Sequence, residues 1–417
     1  MKTYRFLHTA DWHSDGDSKK QAKLKASLDQ ILDYVQQNEV EAIIHAGDIW
    51  EKKQSYADNS GVPMVIDYLR KLSKHVKFIF ITKGNNSHDE PGSISLLHQL
   101  EPNIYAYEYP VVLAVHSEHM RGVEDILRNE SFHKESVCYI VSLVPYPTKA
   151  MFLSDDSIDN NNADFIQKFE GIFELIGDVT EDYNCPKILG FHGNVVGSRL
   201  SSGQSLVSQD IMVAPSTLQK AKADYYALGH IHLHQEVAPF MYYSGSIYNK
   251  NWGETEQKSF EVIEFILYKQ SRAEIETKQV TLSSARPMIK IDAIFQPNSE
   301  TTDFIFQPEL LSEDADNSEI RFRITVKENE RNLLTDDKIE WIKNYCKGSD
   351  VKIEFNIVPV ERESRSEQIM HCKGLKDEVT EYASVINADV FSTGTEENFL
   401  VPSLIEKITR LQEEVIS

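Results

Sequence analysis

Gly229-His230-Ile231-His232 follows the apolar run Tyr225-Tyr226-Ala227-Leu228, which reads as a short buried strand. In an extended segment positions i and i+2 point to the same face, so both imidazoles can turn toward one spot. The glycine before them lets the backbone bend sharply or approach a ligand closely. Imidazole is a common ligand for Zn, Mn and Fe. Alone, two surface histidines at a strand end are the commoner explanation; the stretch takes its meaning from what stands upstream.

Tyr4 to Thr9 reads as a first strand and ends at Ala10-Asp11-Trp12-His13, a second i, i+2 pair at a strand end. A carboxylate and an imidazole on one side suit a hard-to-borderline divalent ion. Leu24, Leu28, Ile31, Leu32 and Val35 recur at helical spacing within Ala22 to Gln37. Ala42 to Ala46 is a buried strand ending at Gly47-Asp48, and a carboxylate there has two oxygens with which to bridge two ions. A helix over Pro63 to Leu72 leads to a strand over Val76 to Thr82, which ends at Gly84-Asn85-Asn86-Ser87-His88-Asp89. Further on, the spacing predicts a helix over Ile94 to Leu100 and strands over Val111 to Val115 and Val137 to Val144, the latter ending at Pro145-Tyr146. A helix over Phe165 to Ile176 precedes the strand Lys187 to Phe191, which ends at His192-Gly193. Gly197 to Gln204, rich in Ser and Gly and carrying Arg199, is expected to be a mobile loop. A hairpin through Met241 to Ser244 and a long strand over Ser259 to Tyr268 follow. Strand-plus-helix units with ligand-type residues after each strand indicate an α/β enzyme whose site lies at strand C-termini.

The chain has 417 residues, room for two or three domains, and 41% hydrophobic residues, enough for a real core. Its formal net charge of -22 argues against a generally basic nucleic-acid coat. It leaves room for a nucleic-acid enzyme, because divalent cations and a local basic groove offset distant acids. The four cysteines, Cys138, Cys185, Cys346 and Cys372, are scattered without C-x-x-C, which points to a reducing compartment. No apolar run is long enough to span a membrane, and the N-terminus lacks signal-peptide character, so a cytoplasmic protein is expected.

Taken in order, Asp11-x-His13, Gly47-Asp48, Gly84-Asn85 with His88-Asp89, His192 and Gly229-His230-x-His232 each fall after a predicted strand. This set resembles the calcineurin-like metallophosphoesterase family, whose signature is D-x-H, G-D, G-N-H-D, H and G-H-x-H. Tyr242-Tyr243-Ser244-Gly245-Ser246, Trp252-Gly253-Glu254 and Lys258-Ser259-Phe260 are similar to the segment after the last motif in SbcD-type DNA-repair nuclease subunits of that family. The third motif departs from the pattern, since Asn86-Ser87 separates Asn85 from His88, and resembles a variant seen in phage-borne relatives. Asn85, Asn86 or Ser87 could supply that ligand oxygen, with Asn85 favoured.

The resemblance implies a four-layer αββα sandwich over residues 1–283, a small α/β capping domain over 284–360 and a helical tail over 368–417. It implies two metal ions, most readily Mn(2+): one held by Asp11, His13 and His232, the other by Asn85, His192 and His230, with Asp48 bridging. Such a pair clamps a phosphodiester and activates a shared water. His88 is then the general acid, with Asp89 as its orienting partner. The implied activity is 3′-5′ exonuclease and endonuclease cleavage of DNA, in repair or recombination, by a homodimer pairing through the helices at 22–37 and 63–72. Lys52, Lys53, Arg199 and Lys250 stand near motifs and could meet DNA phosphates. The tail carries Leu404, Ile408, Leu411 and Val415 at helical spacing, and the resemblance implies docking to an SMC-like, SbcC-type ATPase. Two other functions compete: a phosphatase or cyclic-nucleotide phosphodiesterase with the same metals, and an inactive scaffold whose altered third motif has lost activity.

Overall fold

The structure, a computed structural model, describes residues 2–51, 61–116, 123–126, 136–148, 162–201, 204, 211–268, 274–297, 303–307, 318–346, 350–360, 377 and 381. The chain runs β1 (Lys2–Thr9), α1 (Ser18–Gln37), β2 (Ala42–His45), α2 (Gly61–Leu72), β3 (Phe78–Thr82), β4 (Ile104–Tyr107), β5 (Val111–His116), β6 (Val123–Asp125) and β7 (Val137–Val144). It continues with α3 (Asn162–Thr180), β8 (Lys187–His192), β9 (Asn194–Val195), β10 (Met212–Val213), α4 (Pro215–Gln219), β11 (Tyr225–Gly229), β12 (Gln235–Ala238), β13 (Met241–Tyr243), β14 (Ser259–Leu267) and β15 (Glu274–Thr281). Last come β16 (Met288–Phe295), β17 (Phe304–Ile305), β18 (Glu319–Lys327), α5 (Asp336–Tyr345) and β19 (Asp350–Val358).

Two large sheets form the body, ordered β15-β14-β1-β2-β3-β4 and β12-β13-β11-β8-β7-β5-β6. Their strand sequences show why they stack. Alternate residues of a strand face opposite ways. In β2, Ala42 and Ile44 face the second sheet, while Ile43 faces the helices. In β1, Phe6 faces inward and Leu7 outward in the same way. Phe6, Phe80, Tyr139, Val141, Ile188 and Ala227 belong to the core between the sheets. Leu28 and Ile31 of α1 and Val65 and Leu69 of α2 close one outer face. Phe169 and Phe173 of α3 close the other. The result is the expected four-layer αββα sandwich. Each fully buried Leu, Ile or Phe contributes roughly 1.5–3 kcal/mol to it.

Several local differences from the sequence reading have physical causes. Helix α1 starts four residues earlier than Ala22, because the Asp17 carboxylate accepts from the backbone N–H of Lys19 and Lys20 at 2.9 and 3.0 Å. The helix expected over 94–100 is only a 3-10 turn, Ser95–Gln99. Strands β4 and β15 are additions; β15 pairs along the whole of β14 yet is largely exposed, so its charged residues hide it from a hydrophobicity reading.

A separate four-stranded sheet is ordered β17-β16-β18-β19. Contacts divide the chain into two compact units: Met1–Ala293, Ile305–Ile324 and Asp336–Glu354 form one, and Ile294–Phe304, Thr325–Thr335 and the chain from Phe355 form the other. Of the helical tail expected over 368–417, only residues 377 and 381, both helical, are among the described residues.

Candidate metal centre

β1, β2 and β3 run parallel, as do β8 and β11, so the segments after them emerge at common sheet ends. The first two segments zip together. Asp11 N–H donates to Gly47 O at 3.0 Å, His13 N–H to Asp48 O at 3.1 Å and Ser14 N–H to Ile49 O at 2.8 Å. That zipper holds Asp11, His13 and Asp48 at φ 54, 43 and 56°, and His230 stands at φ 104°. Four non-glycine residues in sparsely populated backbone regions, gathered in one place, mark a site where surroundings impose the conformation.

Glycines permit the close approach. A Cβ on Gly84 would lie 2.0 Å from Asp48 Oδ1, and one on Gly229 would lie 2.1 Å from Ala46 O. The glycine before His230 is therefore needed for contact with the β2 end, as well as for a bend.

The structure brings Asp11, His13, Asp48, His192, His230 and His232 into two touching groups. Asp11, His13 and His232 form one; Asp48, His192 and His230 form the other; within each, the ligand atoms lie within 4.8 Å of one another. His13 Nε2 is 2.9 Å from His232 Nε2 and 4.0 Å from Asp11 Oδ1. Asp48 Oδ2 lies between the groups, 3.4 Å from His192 Nε2 and 3.9 Å from His13 Nε2. Asp11 also accepts the backbone N–H of His230, at 3.0 and 3.1 Å from its two oxygens, tying β1 to β11.

Electrostatics suit a cation. Burial pushes His13 and His232 below their ordinary range, which leaves neutral imidazoles with lone pairs. Burial, then the charge of Asp48, pushes Asp11 up to about 7, although His192 opposes the shift. Burial would lower His192 too, but the Asp48 carboxylate reverses this and raises it to about 9. The buried His192 Nε2 has no hydrogen-bond partner among the described residues, while its Nδ1 lies 2.6 Å from Ala46 O. The Nδ1–H therefore donates to Ala46 and Nε2 faces Asp48. A site that drives a proton onto such a nitrogen welcomes a divalent ion in its place. The residues fit a metal.

The third motif is arranged differently. Asn85 Oδ1 accepts from Ser87 N–H and Ser87 Oγ, both at 3.0 Å, and Asn86 Oδ1 accepts from Lys83 Nζ. Asn85 reaches the site through its backbone, whose N–H donates to Asp48 Oδ1 at 2.7 Å. His88 Nδ1 lies 2.5 Å from Glu51 O and its Nε2 lies 4.0 Å from Asp48 Oδ2. The expectation that Asp89 orients His88 is corrected: the Glu51 carbonyl does so. The Asp89 carboxylate is buried and instead accepts the backbone N–H of Gly84, Asp48 and Trp50 at 2.7, 3.0 and 3.1 Å. Burial and the neighbouring Asp48 push Asp89 up to about 7.

The lysine and arginine positions divide. Lys52 and Lys53 lie outside the described residues. Arg199 is exposed. Lys250 has its ammonium 2.5 Å from Glu51 Oε2, nearly buried, within the site's own charge network. Glu51 was missed in the sequence, where nothing in its local pattern distinguishes it from a solvated charge; Glu254 and Lys258 stood in stretches quoted for the resemblance, but without a role at the site. Glu51 Oε2 lies 3.2 Å from His13 Nδ1. Gln204, in the loop expected to be mobile, donates to His230 O at 2.6 Å and accepts His232 N–H at 3.1 Å. The Tyr146 ring lies against His230 and His192, with centroids 5.7 and 6.1 Å away. Among the other histidines, His8 is buried between Tyr225 Oη and Leu228 O, His45 packs on Trp12, and His234 pairs with Glu261 at 2.6 Å.

The profile of the calcineurin-like phosphoesterase family matches residues 4–234, more than half of the chain and all five motifs. The chain belongs to this family. This calcineurin-like phosphoesterase is 26% identical over 301 residues to the SbcD component of nuclease SbcCD from Bacillus subtilis strain 168, covering 69% of this chain and 71% of that protein. Among solved structures, GAP50, the anchor in the inner membrane complex of Plasmodium, aligns with a TM-score of 0.41 and 14% identity, covering 69% of this chain and 87% of that one. A dimetal phosphatase from Danio rerio aligns with a TM-score of 0.36 and 13% identity, covering 67% of this chain and 99% of that one. No helix among the described residues is long and apolar enough to cross a membrane.

Proposed function

We propose that this phosphoesterase is a Mn(2+)-dependent DNA nuclease, cutting as a 3′-5′ exonuclease and endonuclease, and the nuclease subunit of a complex with an SMC-like ATPase. The observation that carries the phosphodiester chemistry is the position of Asp48 between two ligand groups. Mixed carboxylate and imidazole donors suit Mn, and also Zn or Fe. Asp11, His13 and His232 would hold one ion, His192 and His230 the other, and Asp48 both. Bound there, two such ions would clamp the scissile phosphate and lower the pKa of an attacking water.

The chain's own residues supply the rest. Asp48 keeps its charge, since His192 and His88 outweigh the effect of burial and hold it well below the usual carboxylate range. His88 is a quarter exposed, at 26%, so a substrate can reach it. With Nδ1–H donated to Glu51 O, its Nε2 faces the centre and is placed to protonate a leaving sugar oxygen. Asn85 acts in this reading as a backbone donor that orients Asp48, since its amide oxygen is taken by Ser87.

The choice of DNA rests on the similarity to a nuclease component, which extends over 301 residues and so beyond the family segment. In the same reading, residues 284–360 form a capping domain, the chain pairs as a homodimer through α1 and α2, and the stripe Leu404, Ile408, Leu411 and Val415 docks on the ATPase. Replacing Ile408 and Leu411 with Asp would abolish ATP-dependent cutting and spare ATP-independent cutting. The deciding experiment incubates purified protein and Mn with end-labelled duplex DNA beside a small phosphodiester. Cleavage of the DNA supports a nuclease. Cleavage of the small substrate alone points to the phosphatase or cyclic-nucleotide phosphodiesterase reading, and no cleavage of either points to a scaffold.

A further inference from the structure

Behind His232 lies an ion pair with almost no access to solvent. Glu254 is 0% exposed and Lys258 is 2% exposed. Lys258 Nζ stands 2.8 Å from Glu254 Oε2 and 2.9 Å from Glu256 Oε1. It also donates to the backbone carbonyl of His232 at 3.3 Å. The other Glu254 oxygen, Oε1, faces His232 Nδ1 at 3.8 Å, which is longer than a hydrogen bond, so it acts on the ring through charge. The backbone N–H groups of Lys250 and Asn251 donate to Glu254 at 3.1 and 3.0 Å and hold it in place.

A second pair repeats the arrangement at His13. Glu51 Oε2 lies 3.2 Å from His13 Nδ1 and 2.5 Å from Lys250 Nζ. In both cases a lysine-backed carboxylate sits on the Nδ1 side of a histidine whose Nε2 faces the other histidine, 2.9 Å away. Both lysines, and Glu254, come from the short segment 250–258, which connects β13 to β14.

Stability does not account for the pairs. Removing charges from water costs several kcal/mol per ion, and well-packed apolar residues often replace a buried ion pair at no loss. A carboxylate behind a histidine does something that apolar packing cannot. It keeps the proton on Nδ1, orients the ring and makes Nε2 a better donor to a cation.

We infer that Glu254–Lys258 and Glu51–Lys250 are positioning pairs that fix the tautomer and direction of His232 and His13, so that the segment 250–258 sets the metal affinity of the Asp11–His13–His232 group. The inference rests on the metal reading proposed above and adds residues to it. It predicts an asymmetry, because His192 takes its orientation from the Ala46 carbonyl and, among the described residues, has no such carboxylate at Nδ1.

The test titrates Mn into the full-length metal-free protein by calorimetry, for the wild type, Glu254→Gln, and the double variant Glu254→Gln/Lys258→Met, which removes both fully buried charges and leaves only the part-exposed Glu256 without its lysine. Circular dichroism and melting in chelator report the fold, and 15N shifts of the histidines report the tautomers. Wild type should bind two ions. Both variants should stay folded and lose roughly 10- to 100-fold in affinity at one site only. One histidine should shift from the Nδ1–H form toward a mixture. Folded variants that bind both ions as tightly as wild type overturn the inference and show a structural pair. Equal losses at both sites also overturn it. If the wild type binds no divalent ion, the metal reading itself fails, which the variants cannot mimic.

Discussion

The Asp89 carboxylate accepts the backbone amide of Asp48 at 3.0 Å, so one acid of the third motif shapes the loop that carries the acid of the second. It gathers the amides of Gly84 and Trp50 as well. Asp89→Ala would leave three buried N–H groups without an acceptor. At about 1–3 kcal/mol for each unsatisfied group, the loss should reach several kcal/mol. Asp89→Asn keeps one acceptor oxygen and should cost less. Urea unfolding of the metal-free proteins measures both, and a fully stable Asp89→Ala would remove this role.

His88→Ala should leave metal binding close to wild type and lower cleavage by about a hundredfold or more. Its ring lies beside the ligand set, 4.0 Å from Asp48 Oδ2, and is oriented by the Glu51 carbonyl. Calorimetry with Mn paired with a cleavage assay separates the roles. Loss of an ion in this variant would make His88 a ligand.

Gly229→Ala should damage the second ligand group. The added Cβ would press to 2.1 Å of Ala46 O and 2.9 Å of His192 Nδ1. Those two atoms form the hydrogen bond that directs His192. We expect a folded but less stable protein with weakened binding at one site, read by melting temperature and Mn stoichiometry.

His8 gives a pH dependence from a group that is not itself a proposed ligand. Burial is the largest cause that lowers it from 6.5 to about 3, while its hydrogen bond to Leu228 O opposes the shift. The unfolded chain therefore binds this proton at a higher pH than the folded one. Stability from this group is complete above about pH 6.5 and is lost as pH falls toward 3. The slope is at most about 1.4 kcal/mol per pH unit. His8→Phe should be less stable at pH 7, having abandoned Tyr225 Oη and Leu228 O, yet lose stability less steeply on acidification. Denaturant midpoints across pH 4 to 7 in chelator check the difference in slope.

The ligand types were legible because each stands directly after an apolar strand, where sequence and site coincide. The αββα layering was implied by the family resemblance that the five motifs carry, and the two faces of β1 and β2 show in the structure why the sheets stack. β4 was not legible because it is only Ile104–Tyr107, and β15 because charged residues cover an exposed edge. The roles of Glu51, Glu254 and Lys258 were not legible for another reason. Their meaning depends on which histidine lies across a gap in sequence of tens to hundreds of residues. The same holds for Asp89, whose neighbour in sequence, His88, is not its partner in space.

Strand β14 runs antiparallel along β1 from Lys2 to His8, well beyond the last residue of the family match. A chain ended at residue 234 would retain every proposed side-chain ligand. It would also bare a long backbone edge on β1 and lack Lys250, Glu254 and Lys258. The reactive groups and the sheet that carries them thus have different borders. Transplanting the motifs into another scaffold would carry the donors without their supports, and any attempt to shorten this enzyme has to begin past β15.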